Sequence, residues 1–218
     1  MMRVSDIRQQ LIEKYINEDF VIDKTSVKTI ELIGATFIAD EDWIIRKPNY
    51  DYIESELAWY KSQSLCVNDI PGETPQLWKN VSDKNGMINS NYGWCIWSEE
   101  NGSQYDHVIN ELRSNPNSRR ATMIYNRPSM HTDFNIDGKS DFICTYANTF
   151  YIRDGKLYSH YLMRSNDAVF GYDNDFAWCR YVQECLASDL KLELGDIIWT
   201  TSNLHVYERH FKFIQELI

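Results

Sequence analysis

Cys144, Arg164, Ser165, Asp167 and Asp175 all fall within residues 140–175. Together they set a thiol, an anion-binding pair and two carboxylates in one short, strongly patterned segment. A cation beside a thiol lowers its pKa and raises the thiolate fraction, so the chemistry on offer is nucleophilic attack by Cys144. The segment turns at Arg153-Asp154-Gly155-Lys156, and Asp-Gly between two apolar, aromatic-rich runs signals a two-residue type I′ hairpin. Such a turn fixes the register. Arg153 then faces Lys156, and Cys144 in one strand faces Ser165 in the other, with Arg164 beside it; a β-bulge would slip this by one residue and keep the groups close. Each residue also has a plain reading: Cys144 as a core thiol, Asp167 as a turn residue, Asp175 as a helix-start residue.

Further candidates lie elsewhere. Residues 51–63 read as a helix with Ile53, Leu57 and Tyr60 as its apolar stripe, and Glu56 falls within that stripe. A carboxylate there conflicts with the pattern, and such conflicts mark function; the alternative is an acid at the stripe's edge that reaches water. Arg119-Arg120 follows the loop at residues 114–118 and enters an apolar strand at 121–125. Read plainly, one arginine pairs with an acid and the other meets water. His205 and Tyr207, two apart in Leu204-His205-Val206-Tyr207, share a strand face.

The elements that must position these groups are separate helices and long strands. A first helix spans residues 6–17, capped by Ser5, with Ile7, Leu11, Ile12, Tyr15 and Ile16 inward. A strand covers 27–39, broken at Gly34; a short helix covers 104–113 and a further helix about 174–188; a strand covers 196–200. Without βαβ alternation the expected class is α+β. The 218 residues are 43% hydrophobic and 14% aromatic, which suits one domain with a sizeable core.

With 32 acidic and 22 basic residues, a net charge of −10 and no Lys/Arg-rich run, the chain lacks the footprint for gripping a nucleic-acid backbone. A single phosphomonoester needs only a local basic pocket. No signal-peptide stretch and no membrane-length apolar run occur, so the expected compartment is the cytoplasm. Cys66, Cys95, Cys144, Cys179 and Cys185 form no CxxC pair and no zinc spacing. They are expected to be free thiols, all but Cys144 buried, with no metal bound.

Taken in order, these residues resemble the thymidylate synthase superfamily, and within it the phage branch that hydroxymethylates deoxycytidylate. The resemblance spans nearly the whole chain: Asp23-Lys24-Thr25, Glu56-Leu57-Ala58-Trp59-Tyr60, Asn91-Tyr92-Gly93 and Asn115-Pro116-Asn117-Ser118-Arg119-Arg120. It continues through the Cys144 strand, Asp154-Gly155-Lys156-Leu157, Arg164-Ser165-Asn166-Asp167, Gly195-Asp196-Ile197-Ile198-Trp199-Thr200 and Leu204-His205-Val206-Tyr207. No piece is diagnostic alone; their shared order is.

The resemblance implies a single catalytic domain over residues 1–218, a large mixed β-sheet flanked by helices, and a homodimer packed sheet to sheet. It implies hydroxymethyl transfer from 5,10-methylenetetrahydrofolate and water to C5 of dCMP, in a phage-infected bacterium making modified cytosine. Cys144 matches the nucleophile that adds to C6 of the pyrimidine, turning C5 into an enamine carbon able to attack a one-carbon electrophile. Arg164 and Ser165 match phosphate ligands, and Arg119 and Arg120 the arginines supplied by the other subunit. Lys24 stands where the synthases carry a phosphate-binding arginine. His205 and Tyr207 match the pair at the sugar hydroxyl, Asp167 the carboxylate holding the pterin, Trp78 an aromatic on the folate side, and Glu56 the acid that organises water and proton transfer.

Two departures stand out. Thymidylate synthases place Asn where this sequence has Asp175; a carboxyl can donate to cytosine N3 and accept from the 4-amine, so Asp175 reads as a cytosine selector. Family members also continue into a tail that closes over the folate, whereas this sequence stops at Ile218. Three rivals remain: a dCMP or CMP 5-methylase on the same fold, a non-catalytic nucleotide-binding protein, and a Cys–His hydrolase using Cys144 and His205. The last lacks an evident third orienting group.

Overall fold

Apolar residues at strand and helix spacing sort the chain into alternating runs of both. The computed structural model describes residues 1–22 and 26–218, so Lys24 lies outside the described residues. In order come β1 (Met2–Arg3), α1 (Val4–Ile16), β2 (Val21–Ile22), β3 (Lys28–Ile38), α2 (Tyr50–Ser62), α3 (Gln76–Val81), α4 (Tyr92–Trp97) and α5 (Gln104–Ser114). Then follow β4 (Thr122–Ile124), α6 (Met130–Asp133), β5 (Thr145–Arg153), β6 (Lys156–Met163), β7 (Asn166–Asp167), α7 (Tyr172–Leu190), β8 (Glu193–Tyr207) and α8 (Phe211–Gln215). Two compact units emerge, Met1–Pro48 with Asp154–Ile218, and Asn49–Arg153.

In the first unit β8 is the spine of a mixed sheet. β3 runs antiparallel to it from Thr29 opposite Tyr207 to Ile38 opposite Ile198, and β6 runs parallel along its other side. β7 adds a parallel pair, Asn166 opposite Leu204 and Asp167 opposite His205. β1 and β2 extend the sheet at β3, parallel and antiparallel respectively. α7 buries Tyr172, Phe176, Trp178, Cys179, Val182 and Leu186 against β6 and β8. Its buried Gln183 donates to Leu157 O at 2.7 Å and Gly195 O at 3.1 Å, satisfying strand carbonyls that would otherwise be stranded in the core. Trp199 lies 4.7 Å from the Tyr161 ring and 5.1 Å from Tyr172, which anchors the start of α7 on the sheet.

In the second unit α2, α4 and α5 accompany the antiparallel β4–β5 pair, Thr122 opposite Thr149. The Asn91-Tyr92-Gly93 motif has a structural basis here. Asn91 Oδ1 caps α4 by accepting from Trp94 N–H at 2.8 Å, while Nδ2 donates to Trp59 O and Ser64 O at 3.0 and 2.8 Å. At Gly93 a Cβ would meet Tyr60 O at 1.8 Å, so α4 touches the α2 backbone only because that residue has no side chain. Gly93→Ala should therefore cost about 3 kcal/mol or more, lowering the thermal midpoint by roughly 6–12 °C. A calorimetric scan unchanged from wild type would refute the close approach.

Several sequence expectations shift. α1 starts at Val4, and Asp6 accepts from Arg3 N–H at 2.8 Å where Ser5 was expected to cap. Ile16, expected inward, is exposed because the helix ends there. β3 runs through Gly34, which takes φ +71°, and pairing with β8 resumes at Ala35 opposite Thr201. The last long strand covers Glu193–Tyr207, far beyond 196–200. Cys95 and Cys179 are buried as expected, but Cys66 and Cys185 are only half-buried. Asp154 and Gly155 take φ of 50° and 75°, positive at both central positions as a type I′ turn requires. Cys144 lies one residue ahead of β5, and Arg164 and Ser165 just past the end of β6, so these three sit at strand ends and not within the strands.

Candidate active site

Within the second unit α2 brings Glu56 inward. Its face buries Ile53, Glu56, Trp59 and Tyr60, so the carboxylate occupies a core position and does not reach water at the stripe's edge. Tyr52, one turn earlier, donates to Glu56 Oε1 at 2.6 Å. Trp78 Nε1, brought in by α3, donates to Tyr52 Oη at 2.9 Å and to Glu56 Oε1 at 3.2 Å. The Trp78 ring meets Trp59 edge-on at 5.2 Å, which locks the indole N–H toward the acid. Glu56 and Trp78 thus form one hydrogen-bonded cluster, with Tyr52 as a member that only the i, i+4 spacing hinted at.

Cys144 is half-buried, with Sγ 3.8 Å from Phe142 O. Its segment is tied down by Asp141, whose carboxylate accepts from Asn89 N–H at 2.6 Å, Ser90 N–H at 2.9 Å and Ser90 Oγ at 2.6 Å. Burial raises the Asp141 pKa against those donors. Cys95 differs sharply from Cys144 in setting, since burial pushes its thiol up to about 12. Arg119 and Arg120 both project into solvent ahead of β4. Arg120 pairs with Glu111 at 3.0 Å, and that carboxyl, held by the Ser118 hydroxyl and by Arg120, titrates below its ordinary value.

Within the first unit the polar groups converge along β7, β8 and the start of α7. Arg164 and Ser165 are half-buried where β6 gives way to β7. Asp167 Oδ1 accepts from Val169 N–H at 2.8 Å, and Oδ2 faces His210 Nδ1 at 3.7 Å. The parallel register sets Asp167 beside His205, whose ring lies 4.7 Å from Tyr207 on the same strand face, as the spacing predicts. Burial lowers the His205 pKa, partly offset by Asp167, so the imidazole is neutral at pH 7. His205 Nδ1 lies 3.1 Å from Asn203 Oδ1.

Asp175 sits in the first turn of α7, where its carboxylate accepts from Asn166 Nδ2 at 2.8 Å. It does not cap the helix; Asp173 accepts the neighbouring Asn174 N–H at 3.0 Å. Asp173 is itself 3% exposed, with burial pushing its pKa up to about 6 despite Arg46 at 3.6 Å. Asn166, Asp141 and His210 are among the polar residues here that sequence reasoning left without a role. None breaks a hydrophobic period, so only their contacts reveal them. Among the described residues no group of His, Cys, Asp and Glu is arranged to hold a metal ion, and no helix is long and apolar enough to cross a membrane.

Comparison with known proteins gives this geometry its context. The chain is 53% identical over 220 residues to the deoxycytidylate 5-hydroxymethyltransferase of Enterobacteria phage T4, covering 98% of this chain and 89% of that protein. Its fold matches the thermostable thymidylate synthase A of Bacillus subtilis with a TM-score of 0.74, over 99% of this chain and 83% of the other, at 22% identity. It matches the thymidylate synthase of T4 phage with a TM-score of 0.79, over 96% and 79% of the two chains, again at 22% identity. With the thymidylate synthase profile matching residues 9–218, this chain belongs to the thymidylate synthase family.

Proposed function

We propose that this protein is a deoxycytidylate 5-hydroxymethyltransferase, converting dCMP, 5,10-methylenetetrahydrofolate and water into 5-hydroxymethyl-dCMP and tetrahydrofolate. The observation that carries the reading is 53% identity over 98% of the chain to a phage enzyme named for that activity. The carboxylate at position 175 supports it, because a carboxyl complements the cytosine edge better than the amide of the synthases does. The setting is the cytoplasm of a phage-infected bacterium, and residues 1–218 act as one catalytic domain.

Arg164, Ser165, Arg119, Arg120 and Lys24 take the phosphate, and neutral His205 with Tyr207 takes the sugar hydroxyl. The Cys144 thiolate adds to C6, which makes C5 nucleophilic. The folate supplies the one-carbon unit that C5 takes up. Trp78 and Asp167 fit it: Asp167 Oδ2 lies 3.7 Å from His210, beyond hydrogen-bond length, leaving an acceptor suited to the N–H edge of a pterin. Glu56 receives the C5 proton and then orients the water that attacks the exocyclic methylene of the nucleotide, after which Cys144 departs.

The working form is a homodimer joined sheet to sheet, with Arg119 and Arg120 reaching the partner's site. The decisive assay incubates the protein with dCMP, dUMP or CMP and the folate, then reads nucleotide mass and dihydrofolate absorbance. Capture by water yields 5-hydroxymethyl-dCMP and tetrahydrofolate with no rise in dihydrofolate. Stoichiometric dihydrofolate alongside 5-methyl-dCMP would replace this assignment with a methylase.

A further inference from the structure

Asn166 stands between residues that all have work in the proposed site, yet has none itself. It follows Arg164 and Ser165, precedes Asp167, and pairs with Leu204 next to His205. Its side chain is 2% exposed. The amide orientation follows from chemistry: a carboxylate only accepts, so Nδ2 must be the atom 2.8 Å from Asp175 Oδ2. Gly171 packs against the neighbouring backbone, where a Cβ would lie 3.0 Å from Asp167 O. The other end of the amide is the anomaly. Asn166 Oδ1 is buried and has no hydrogen-bond partner among the described residues. A desolvated acceptor left unmatched is costly, and beside a binding residue a donor arriving with the ligand would relieve that cost.

We propose that Asn166 is a second base-reading residue, whose Nδ2 orients the Asp175 carboxylate and whose Oδ1 accepts from the 4-amino group of a cytosine nucleotide. The inference rests on the reading of Asp175 as the cytosine selector. The 4-amine carries two hydrogens, enough for one bond to Asp175 and one to Asn166. Uracil presents an oxygen at that position, which would face Oδ1 as acceptor against acceptor and leave both unmatched. The pair therefore discriminates twice, once by attraction and once by repulsion. A water held at Oδ1 would instead serve both bases alike.

Calorimetric dissociation constants for dCMP and dUMP, measured without folate, separate these cases. The proteins compared are wild type, Asn166→Leu, Asn166→Ser and Asp175→Asn, each first checked by thermal melting. Asn166→Leu should weaken dCMP by about tenfold or more while dUMP stays level or tightens. Asn166→Ser, smaller and easier to accommodate, should narrow the dCMP/dUMP ratio in the same direction. Equal weakening of both nucleotides by the two Asn166 variants, or no change in either, overturns the inference while leaving the Asp175 reading intact, provided Asp175→Asn moves the ratio toward dUMP. If Asp175→Asn leaves the ratio unchanged, the selector reading fails and this inference fails with it.

Discussion

Cys144→Ser should fold and bind dCMP as wild type does, and turn it over about 10³-fold more slowly or worse. A serine hydroxyl at neutral pH is almost wholly un-ionised, whereas a thiol ionises far more readily and is intrinsically the better nucleophile. Loss of a covalent nucleophile falls on kcat, because the remaining ligands still hold the substrate. The structure makes the fold-retention half of this expectation concrete. Cys144 is half-buried at a strand end, and Asp141, not the thiol, ties down its segment through Asn89 and Ser90. Swapping sulfur for oxygen there disturbs no packed core. Dissociation constants and single-turnover rates with dCMP and folate check both halves. Turnover within tenfold of wild type would remove the covalent route. Cys95 supplies an internal control, since a buried thiol pushed up to about 12 should resist alkylation under conditions that modify an accessible Cys144.

How much of this was legible beforehand varies with the physics involved. The Asp154-Gly155 turn was readable because a type I′ geometry demands two positive φ values and few residue pairs supply them. Glu56 was readable as a conflict, a carboxylate in an apolar stripe, and it does occupy the buried face of α2. Its partners were harder. Tyr52 lies at the right helical spacing, but Trp78 arrives from α3, and nothing local to either segment announces that contact. The strand read over 196–200 and the strand face at His205 and Tyr207 belong to one strand, β8, which continues through Ser202 and Asn203. They remain in the strand because β3 pairs across them, from Ile33 opposite Asn203 to Ala35 opposite Thr201. Strand length there is a tertiary property. Cys144 and Arg164 were assigned to strand interiors by counting from the turn, and both fall just outside, where the backbone is released from the ladder and a side chain can be aimed at a ligand.

Mixing inactive Cys144→Ser subunits with inactive Arg120→Ala subunits should restore about a quarter of wild-type activity. If each site takes its nucleophile from one subunit and its arginine from the other, a hybrid dimer holds one intact site and one doubly damaged site. Random exchange makes about half the dimers hybrid, each with half the normal number of working sites, which gives the quarter. Arg120 suits such a role. It projects into solvent with its side chain 78% exposed, and its tie to Glu111 at 3.0 Å is an exposed ion pair, a weak tether that a phosphate dianion can outcompete. Arg119 lies beside it on the same exposed segment, so Arg119→Ala should substitute for Arg120→Ala in the mixture with the same outcome. The exchange step matters, because dimers that never dissociate would hide the effect; brief denaturation and refolding of the mixture, with each parent treated alone as a control, removes that ambiguity. Parents that regain nothing while the mixture regains activity establish a site shared between two chains. A mixture as dead as its parents, or a monomer with normal turnover by sedimentation and assay, would place both arginines in the site of their own chain.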